Sequence, residues 1–527
     1  MSTACVLGCS ASQGTRRHDC ARCCCYDGQA AEECRKVIGL SKSRIAAFEQ
    51  CPKKLWLSVH RPEPGHHDQA TTASFSAGHA VGEAACALCP GGMMVEAEPN
   101  LAAAVETTRQ LLEAGHDGPI FEATFVHEGV LVRVDILQPD SDGRWQMLEV
   151  KSTGGAKLYH HGDLATQIWV LEGQGVELAG AAIRHIDTSF VLEREGDYSS
   201  LFRDAELYEI VAPLVAQRGE IVAAARHMLA GQEPDQPVGE HCTAPYGCAF
   251  TAYCHDTIDP GPLWPVTVLP GGGGKRWLAQ GVTDLFDVDP LELTTPVQHR
   301  VHQATVSGIP WHDSEAARAV IDQWPYPRTW LDFETIGFAL PRWVGTRPYE
   351  NIPFQFSAHI EEEDGTIRHA EFLSLDGADP RRACAQALID LLPAQGAVIA
   401  YNAPFERGCL RQLAALFPDL AIGLSDLADR LVDLLPVTRA TWYHRDQRGS
   451  WSLKAVLPTI ASQLSYADLD VSDGMQAQMA YLEAIDPGTS VERRKEIDEA
   501  LRLYCACDTQ AMIVLADHLV GTKQAVR

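Results

Sequence analysis

From residue 328 the chain reads RTWLDFETIGF, an apolar run that nevertheless carries Asp332 and Glu334. Such a run predicts a strand entering a core, and on a strand residues two apart share a face. Asp332 and Glu334 therefore project together, while Leu331 and Phe333 point the other way. Downstream, the apolar AVIAY runs into the helix-like NAPFERGCLRQLAALF, and RLYCACDTQAM again has helical spacing. Strands alternating with helices predict an α/β unit over 326–522.

A second alternating region lies upstream. LSKSRIAAFEQCPKKLWL predicts a helix capped by Ser41 or Ser43, with Ile45, Phe48 and Leu55 on one side. A further helix is expected over 101–114. FEATFVHEGVLVRVDIL and RWQMLEVKS read as strands joined across the turn-rich Pro139 to Gly143. Helical spacing covers about 203–230. The proline-rich stretch 257–275, with its four-glycine run, reads as an interdomain connection, followed by a short helical segment to about 325. The expected organisation is thus a leader over 1–40, a unit over 41–258, a linker and helical segment over 259–325, and the unit over 326–522.

A length of 527 residues is too great for one core and suits two or three domains. No apolar run approaches the roughly 18 residues of a membrane span, and the N-terminus lacks the apolar core of a secretory signal. A cytoplasmic protein without a membrane partner is expected, so its 17 cysteines read as thiols or metal ligands. Seven of them fall in residues 1–36, where little apolar periodicity supports a core. That leader reads as disordered, with a small zinc-binding appendage as the alternative. The net charge of −27 argues against a general basic coat for nucleic acid, but acidic metal sites are themselves a source of negative charge.

Two acidic constellations stand out. If the hairpin turn is centred on Asp142, antiparallel pairing sets Asp135 opposite Glu149 at about 5 Å, with Lys151 on the same side. Two acids and a lysine on one face suit phosphodiester hydrolysis: carboxylates hold Mg²⁺ or Mn²⁺ and the lysine steadies developing charge. The plain alternative is an exposed salt bridge. In the second constellation, two adjacent carboxylates, Asp332 and Glu334, call for a shared divalent cation. Asn402 and Glu406 lie at a strand-to-helix junction, and Tyr504 and Asp508 share a helix face at i and i+4.

VDIL, LEVKS and Gln167 in LATQIWVLEG resemble the PD-(D/E)XK nucleases of the RecB type. The resemblance implies a restriction-endonuclease-like fold with Asp135 and Glu149 as metal ligands, Lys151 as the catalytic lysine and Gln167 as the downstream active-site glutamine. FSAGHAVGEAA offers His79 or Glu83 as the upstream ligand, with Gly82 where the family's histidine would fall. Glu122 is a third candidate. HCTAPYGCAFTAYC places five residues between Cys242, Cys248 and Cys254, and Cys51 stands at the other end of the same unit. One distant and three clustered cysteines resemble the iron-sulfur nucleases of the RecB group, which implies a 4Fe-4S staple, with Zn²⁺ as the alternative metal and buried free thiols as the plain reading.

D-x-E on a strand, N-x-x-F-E at a turn and Y-x-x-x-D on a late helix resemble the DnaQ-like, ribonuclease H-fold 3′–5′ exonucleases of the DEDD type, tyrosine subclass. The resemblance implies that Asp332, Glu334, Glu406 and Asp508 hold two Mg²⁺ or Mn²⁺ ions and that Tyr504 orients the attacking water. Glu406 departs from the family's aspartate, with Asp433 in reserve, and SLKAVLP at 452–458 resembles a segment between the later motifs. His359 reads as structural. Together the resemblances imply a metal-dependent nuclease acting on DNA, as single strands or ends, although no residue separates DNA from RNA. The rival expectation is a nucleic-acid-binding or scaffold protein with one or both sites degenerate.

Overall fold

The computed structural model describes residues 39–65, 69–257, 261–461, 466 and 469–521, with side chains described outside 69–77 and 256–257. The Cys-rich leader, apart from its last residues, lies outside the described part of the chain. The architecture is mixed α/β, with three sheets among the described residues. The first sheet holds β1 (Leu40–Ser41), β2 (Met93–Met94), β3 (Ile120–His127), β4 (Val130–Pro139), β5 (Trp145–Lys151), β6 (Leu178–Ile186) and β7 (Phe202–Glu206). Its order is β2-β3-β4-β5-β6-β7, with β1 beside the start of β4. The β3-β4-β5 meander is antiparallel, β6 joins β5 in parallel, and β7 closes the edge antiparallel.

The expected first helix is two. α1 (Lys42–Gln50), capped by the Ser41 hydroxyl, ends at Cys51, and Pro52 opens α2 (Pro52–His60). Proline lacks the N–H that would continue α1 and forces the residue before it out of helical geometry, so Cys51 is extended at φ −163°. Ile45 and Leu55 still reach one core, which they share with Val132, Val134, Leu164 and Ile168. α3 (Gln69–Ala87) and α4 (Leu158–Gly173) also pack on the sheet; Leu164 and Ile168 of α4 and Ala85 of α3 are fully buried. A second correction concerns 203–230, which begins as the edge strand β7, where Arg184 and Asp204 pair across strands at 2.7 Å. Two helices follow, Tyr208–Val215 and Arg218–Leu229.

The stretch read as a linker is also more than that. Val266, Val268, Leu269 and Trp277 are buried in one cluster with Trp330, Ile399, Met512 and Leu515. Burial of side chains this size is worth about 1.5–3 kcal/mol each, so 264–277 belongs energetically to the C-terminal core. After β8 (Trp311–His312) comes the second sheet, from β9 (Arg328–Ile336), β10 (Ile352–Glu361), β11 (Ile367–Leu373), β12 (Val398–Ala400) and β13 (Leu431–Asp433), in the order β11-β10-β9-β12-β13. β12 runs parallel to β9, and β9-β10-β11 are antiparallel. β14 (Trp442–Tyr443) pairs with β8 in the small third sheet. Leu331 and Phe333 face a core with Leu410 and Leu413 of α5 (Pro404–Leu416). On the other face lies α6 (Val491–Leu519), capped by Ser490, whose Leu501 carbonyl accepts from Gln355 at 2.9 Å.

The two units touch. The loop after β9 brings Ala339 and Leu340 against Val81, Phe190, Leu192 and Leu201. Backbone bonds link Leu192 N–H to Thr346 and Gly345 N–H to Leu192, and the Tyr349 hydroxyl donates to the Ser152 carbonyl.

Candidate metal centres

β4 and β5 pair with Ile136 facing Leu148, Leu137 facing Met147 and Gln138 facing Gln146. This is the register of a turn centred on residue 142, and the ladder ends one position short of Asp135 and Glu149. The Val150 N–H donates to Asp135 Oδ2 at 2.7 Å. From α4, the fully buried Gln167 donates through Nε2 to Glu149 Oε2 at 2.6 Å. Lys151 Nζ lies 2.8 Å from Glu149 Oε1 and 3.0 Å from Asp163 on α4.

The residue that sequence reasoning missed is Lys42, the first of α1. Its Nζ lies 2.6 Å from the same Glu149 Oε1. Burial would raise the Glu149 carboxyl, but Lys42 and then Lys151 outweigh it and hold it down at about 2. Asp135 is instead pushed up to about 7, by burial and by the Glu149 charge. His79 and Glu83 are exposed on α3, and no described contact joins them to Asp135 or Glu149. The α3 side chain that senses Asp135 is Cys86, whose thiol burial pushes up to about 12. Glu122, at φ +55°, is paired with Arg133 at 3.0 Å. Both Glu149 oxygens are thus engaged and its charge is answered by two ammonium groups. These residues fit a divalent cation only once Lys42 withdraws.

Lys42 and Cys51 stand at opposite ends of α1. At the Cys51 end, Gln50 Nε2 donates to the carbonyls of His241 and Tyr246, both at 2.7 Å, which ties α1 to the later cysteine segment. Leu57, Phe250 and Cys254 form a small cluster with Trp56, Cys248 and Tyr253. Cys51, Cys242 and Cys254 are buried, Cys248 is partly so, and all four are free thiols. Burial raises the Cys51 and Cys254 thiols, and the other cysteines of the group add to it, so the four share one locality. Four converging thiols suit a thiophilic centre. No three of them lie within 4.8 Å of one another, wider than the about 3.8 Å sulfur-to-sulfur edge of a tetrahedral zinc site.

The second centre has a different balance. Asp332, Glu334, Glu406, Asp508 and Tyr504 line a single cavity with Asn402, Tyr401, Phe405, Leu453 and Met512. Three segments far apart in sequence supply them: β9, the start of α5 and the middle of α6. Asn402 makes the junction with a left-handed backbone (φ +80°), its N–H donating to Asp433 Oδ1 at 3.0 Å. Asp433 also caps the following helix through Leu435 N–H, so this acid positions the turn and does not line the cavity. Tyr466 donates to Asp508 Oδ1 at 2.6 Å. Lys454, in the SLKAVLP segment, donates to the Tyr504 hydroxyl at 3.1 Å and to the Ser472 carbonyl at 2.7 Å.

Among the described residues, no ammonium group lies within salt-bridge distance of these four carboxylates. Loss of water, then Asp508, Glu334 and Glu406, drive the Asp332 carboxyl well above its ordinary range. Burial and Asp508 likewise raise Glu334. Burial takes Glu406, only 3% exposed, to about 7, and its Oε2 has no hydrogen-bond partner. The donor set is thus hard, anionic and partly orphaned, which fits divalent cations such as Mg²⁺ or Mn²⁺. Cys505, also missed in the sequence, joins Asp332 and Glu334 with ligand atoms all within 4.8 Å. His359 lies aside, hydrogen-bonded to Thr509 at 2.8 Å and stacked on His369.

A family model described as Domain of unknown function (DUF2779) matches residues 329–452. That span contains Asp332, Glu334, Asn402 and Glu406 and ends before Tyr504 and Asp508. No curated protein matches the chain. No helix among the described residues is long and apolar enough to cross a membrane.

Proposed function

We propose that the protein is a metal-dependent nuclease whose cutting centre is the C-terminal one, built on a ribonuclease H-like fold and acting on DNA as single strands or ends. The observation that carries this reading is the convergence of Asp332, Glu334, Glu406 and Asp508 with Tyr504 on one cavity, none of the four acids having a salt-bridge partner among the described residues. Bound Mg²⁺ or Mn²⁺ supplies neutralisation of the acids and the phosphodiester, and a water of lowered pKa. In this reading the Tyr504 hydroxyl, which accepts from Lys454 at 3.1 Å, orients the attacking water. Tyr466 holds Asp508 in one orientation. Lys454 adds a positive charge beside Tyr504, suited to a phosphate drawn into the cavity. In this reading the N-terminal unit is PD-(D/E)XK-like, with its four cysteines as a 4Fe-4S or zinc staple. Its lysine-filled acid pair favours a second role, holding substrate instead of cutting it.

The test is a time course on end-labelled single-stranded DNA and RNA with Mg²⁺ or Mn²⁺, comparing wild type with Asp332→Ala and Glu149→Ala. A ladder growing from the 3′ end is expected, reduced on the order of 10³-fold in Asp332→Ala and retained in Glu149→Ala. Absence of cleavage by every version, with nucleic-acid binding intact, overturns the reading in favour of a binding protein.

A further inference from the structure

Cys505 has no part in the reading above, yet its thiol lies against the acids of the second centre. It sits on α6 one residue after Tyr504 and three before Asp508, so the turn of the helix aims it at β9. Its Sγ lies 3.9 Å from both the backbone and a side-chain oxygen of Asp332. Asp332, Glu334 and Cys505 are brought within 4.8 Å of one another, while the buried, unpartnered Oε2 of Glu406 opens on the same cavity.

A hard cation and a soft one read this set differently. Mg²⁺ takes oxygen ligands at about 2.1 Å in an octahedron and leaves sulfur aside. Zn²⁺ takes thiolate at about 2.3 Å and carboxylate at about 2.0–2.2 Å, which in a tetrahedron sets sulfur and oxygen about 3.6 Å apart. The observed 3.9 Å needs only a small closure.

We infer that Asp332, Glu334 and Cys505 form a mixed carboxylate and thiolate site for a thiophilic divalent ion, Zn²⁺ or Cd²⁺, distinct in selectivity from the hard-ion function of the same acids. On binding, the S–H bond breaks, the sulfur keeps the electron pair as ligand, and the proton passes to solvent. The ion then occupies the two acids of β9, so it competes with Mg²⁺ and arrests cleavage. That last consequence rests on the nuclease reading, whereas the binding does not.

The experiment uses the full chain under anaerobic conditions, titrated with Co²⁺ as the spectroscopic stand-in for Zn²⁺. Spectra of wild type, Cys505→Ser and Asp332→Asn are compared. The thiols of Cys51, Cys242, Cys248 and Cys254 are common to all, so the difference spectra isolate Cys505. Wild type is expected to carry thiolate-to-Co²⁺ charge-transfer intensity beyond that of both variants, bleached by one equivalent of Zn²⁺, and Cys505→Ala is expected to match Cys505→Ser. Identical spectra for wild type and both Cys505 variants overturn the proposal. In the cleavage assay, Zn²⁺ inhibition against fixed Mg²⁺ is expected to weaken at least tenfold in Cys505→Ser. If cleavage is absent throughout but the difference band is present, the nuclease reading fails and the metal site stands.

Discussion

The two acidic centres share a vocabulary and differ in balance. At the first, Glu149 Oε1 lies 2.6 Å from Lys42 and 2.8 Å from Lys151, so the buried carboxylate is held ionised by its neighbours. At the second, four acids line one cavity, and Lys454 nearby directs its hydrogen bonds to a tyrosine and a backbone carbonyl. Opposed carboxylates therefore do not by themselves define a cation site. What matters is whether the fold has already answered their charge.

This contrast can be broken most sharply at Glu149. Glu149→Gln leaves Lys42 and Lys151 in a buried place without their common anion, and loss of about 3–5 kcal/mol is expected in urea unfolding of the metal-free chain. A loss under about 1 kcal/mol would mean that the ammonium groups escape to water and that the first centre is no more filled than the second. Next in size is the response to metal. Mn²⁺ at 100 times its Kd is expected to stabilise wild type by about 2.7 kcal/mol, an effect removed by Asp332→Asn and untouched by Glu149→Gln. Lys42→Met, by removing one of the two ammonium groups on Glu149 Oε1, is expected to add a second, weaker Mn²⁺-dependent step in calorimetry. Without metal, Asp332→Asn is expected to raise stability at neutral pH, because folding then no longer buries that carboxyl beside Asp508, Glu334 and Glu406. That is the opposite sign to Glu149→Gln.

The finest increment is in pH. The folded Glu406 carboxyl, at about 7, lies above its ordinary value. It contributes stability that is full at acid pH and is lost as pH rises through about 7, at up to about 1.4 kcal/mol per unit for each proton. The folded Glu149 carboxyl, at about 2, lies below its ordinary value. Its contribution is full above the ordinary carboxylate range and is lost only as pH falls toward 2. Urea midpoints of the chelated chain are thus expected to fall between about pH 5 and 8, less steeply in Glu406→Gln, and also less steeply in Glu149→Gln, where Asp135 loses the neighbouring charge that helps to raise it.

Much of this geometry was legible before any coordinates. The period of two put Asp332 and Glu334 on one side of β9, and the turn centre at 142 gave the hairpin register, whose ladder ends one position short of Asp135 and Glu149. Helical spacing brought Tyr504 and Asp508 to one face. These are local rules. What stayed hidden came from contacts between distant segments. Lys42 is 107 residues from Glu149, and nothing in LSKSR says that its lysine ends at an acid on a distant strand. Cys505 reads as one more apolar position until α6 is laid across β9. Pro and Gly between 260 and 275 read as a tether, yet Val266 and Val268 between them, and Trp277 just after, belong to the C-terminal core. The strand at Phe202–Glu206 was hidden by helical spacing that its cross-strand partner Arg184 overrode.

The loop that leaves β9 just after Glu334 settles how the chain can be divided. Ala339 and Leu340 cover Phe190 and Leu192, and Leu192 exchanges backbone hydrogen bonds with the Gly345 and Thr346 turn. Cutting the chain near residue 260 therefore strips one fragment of its cover and leaves both with raw apolar surface and unmet peptide groups. Separately expressed halves would report on that wound, through clumping or slow loss, more than on either centre. Dissecting the molecule is a task for single side chains, not for scissors.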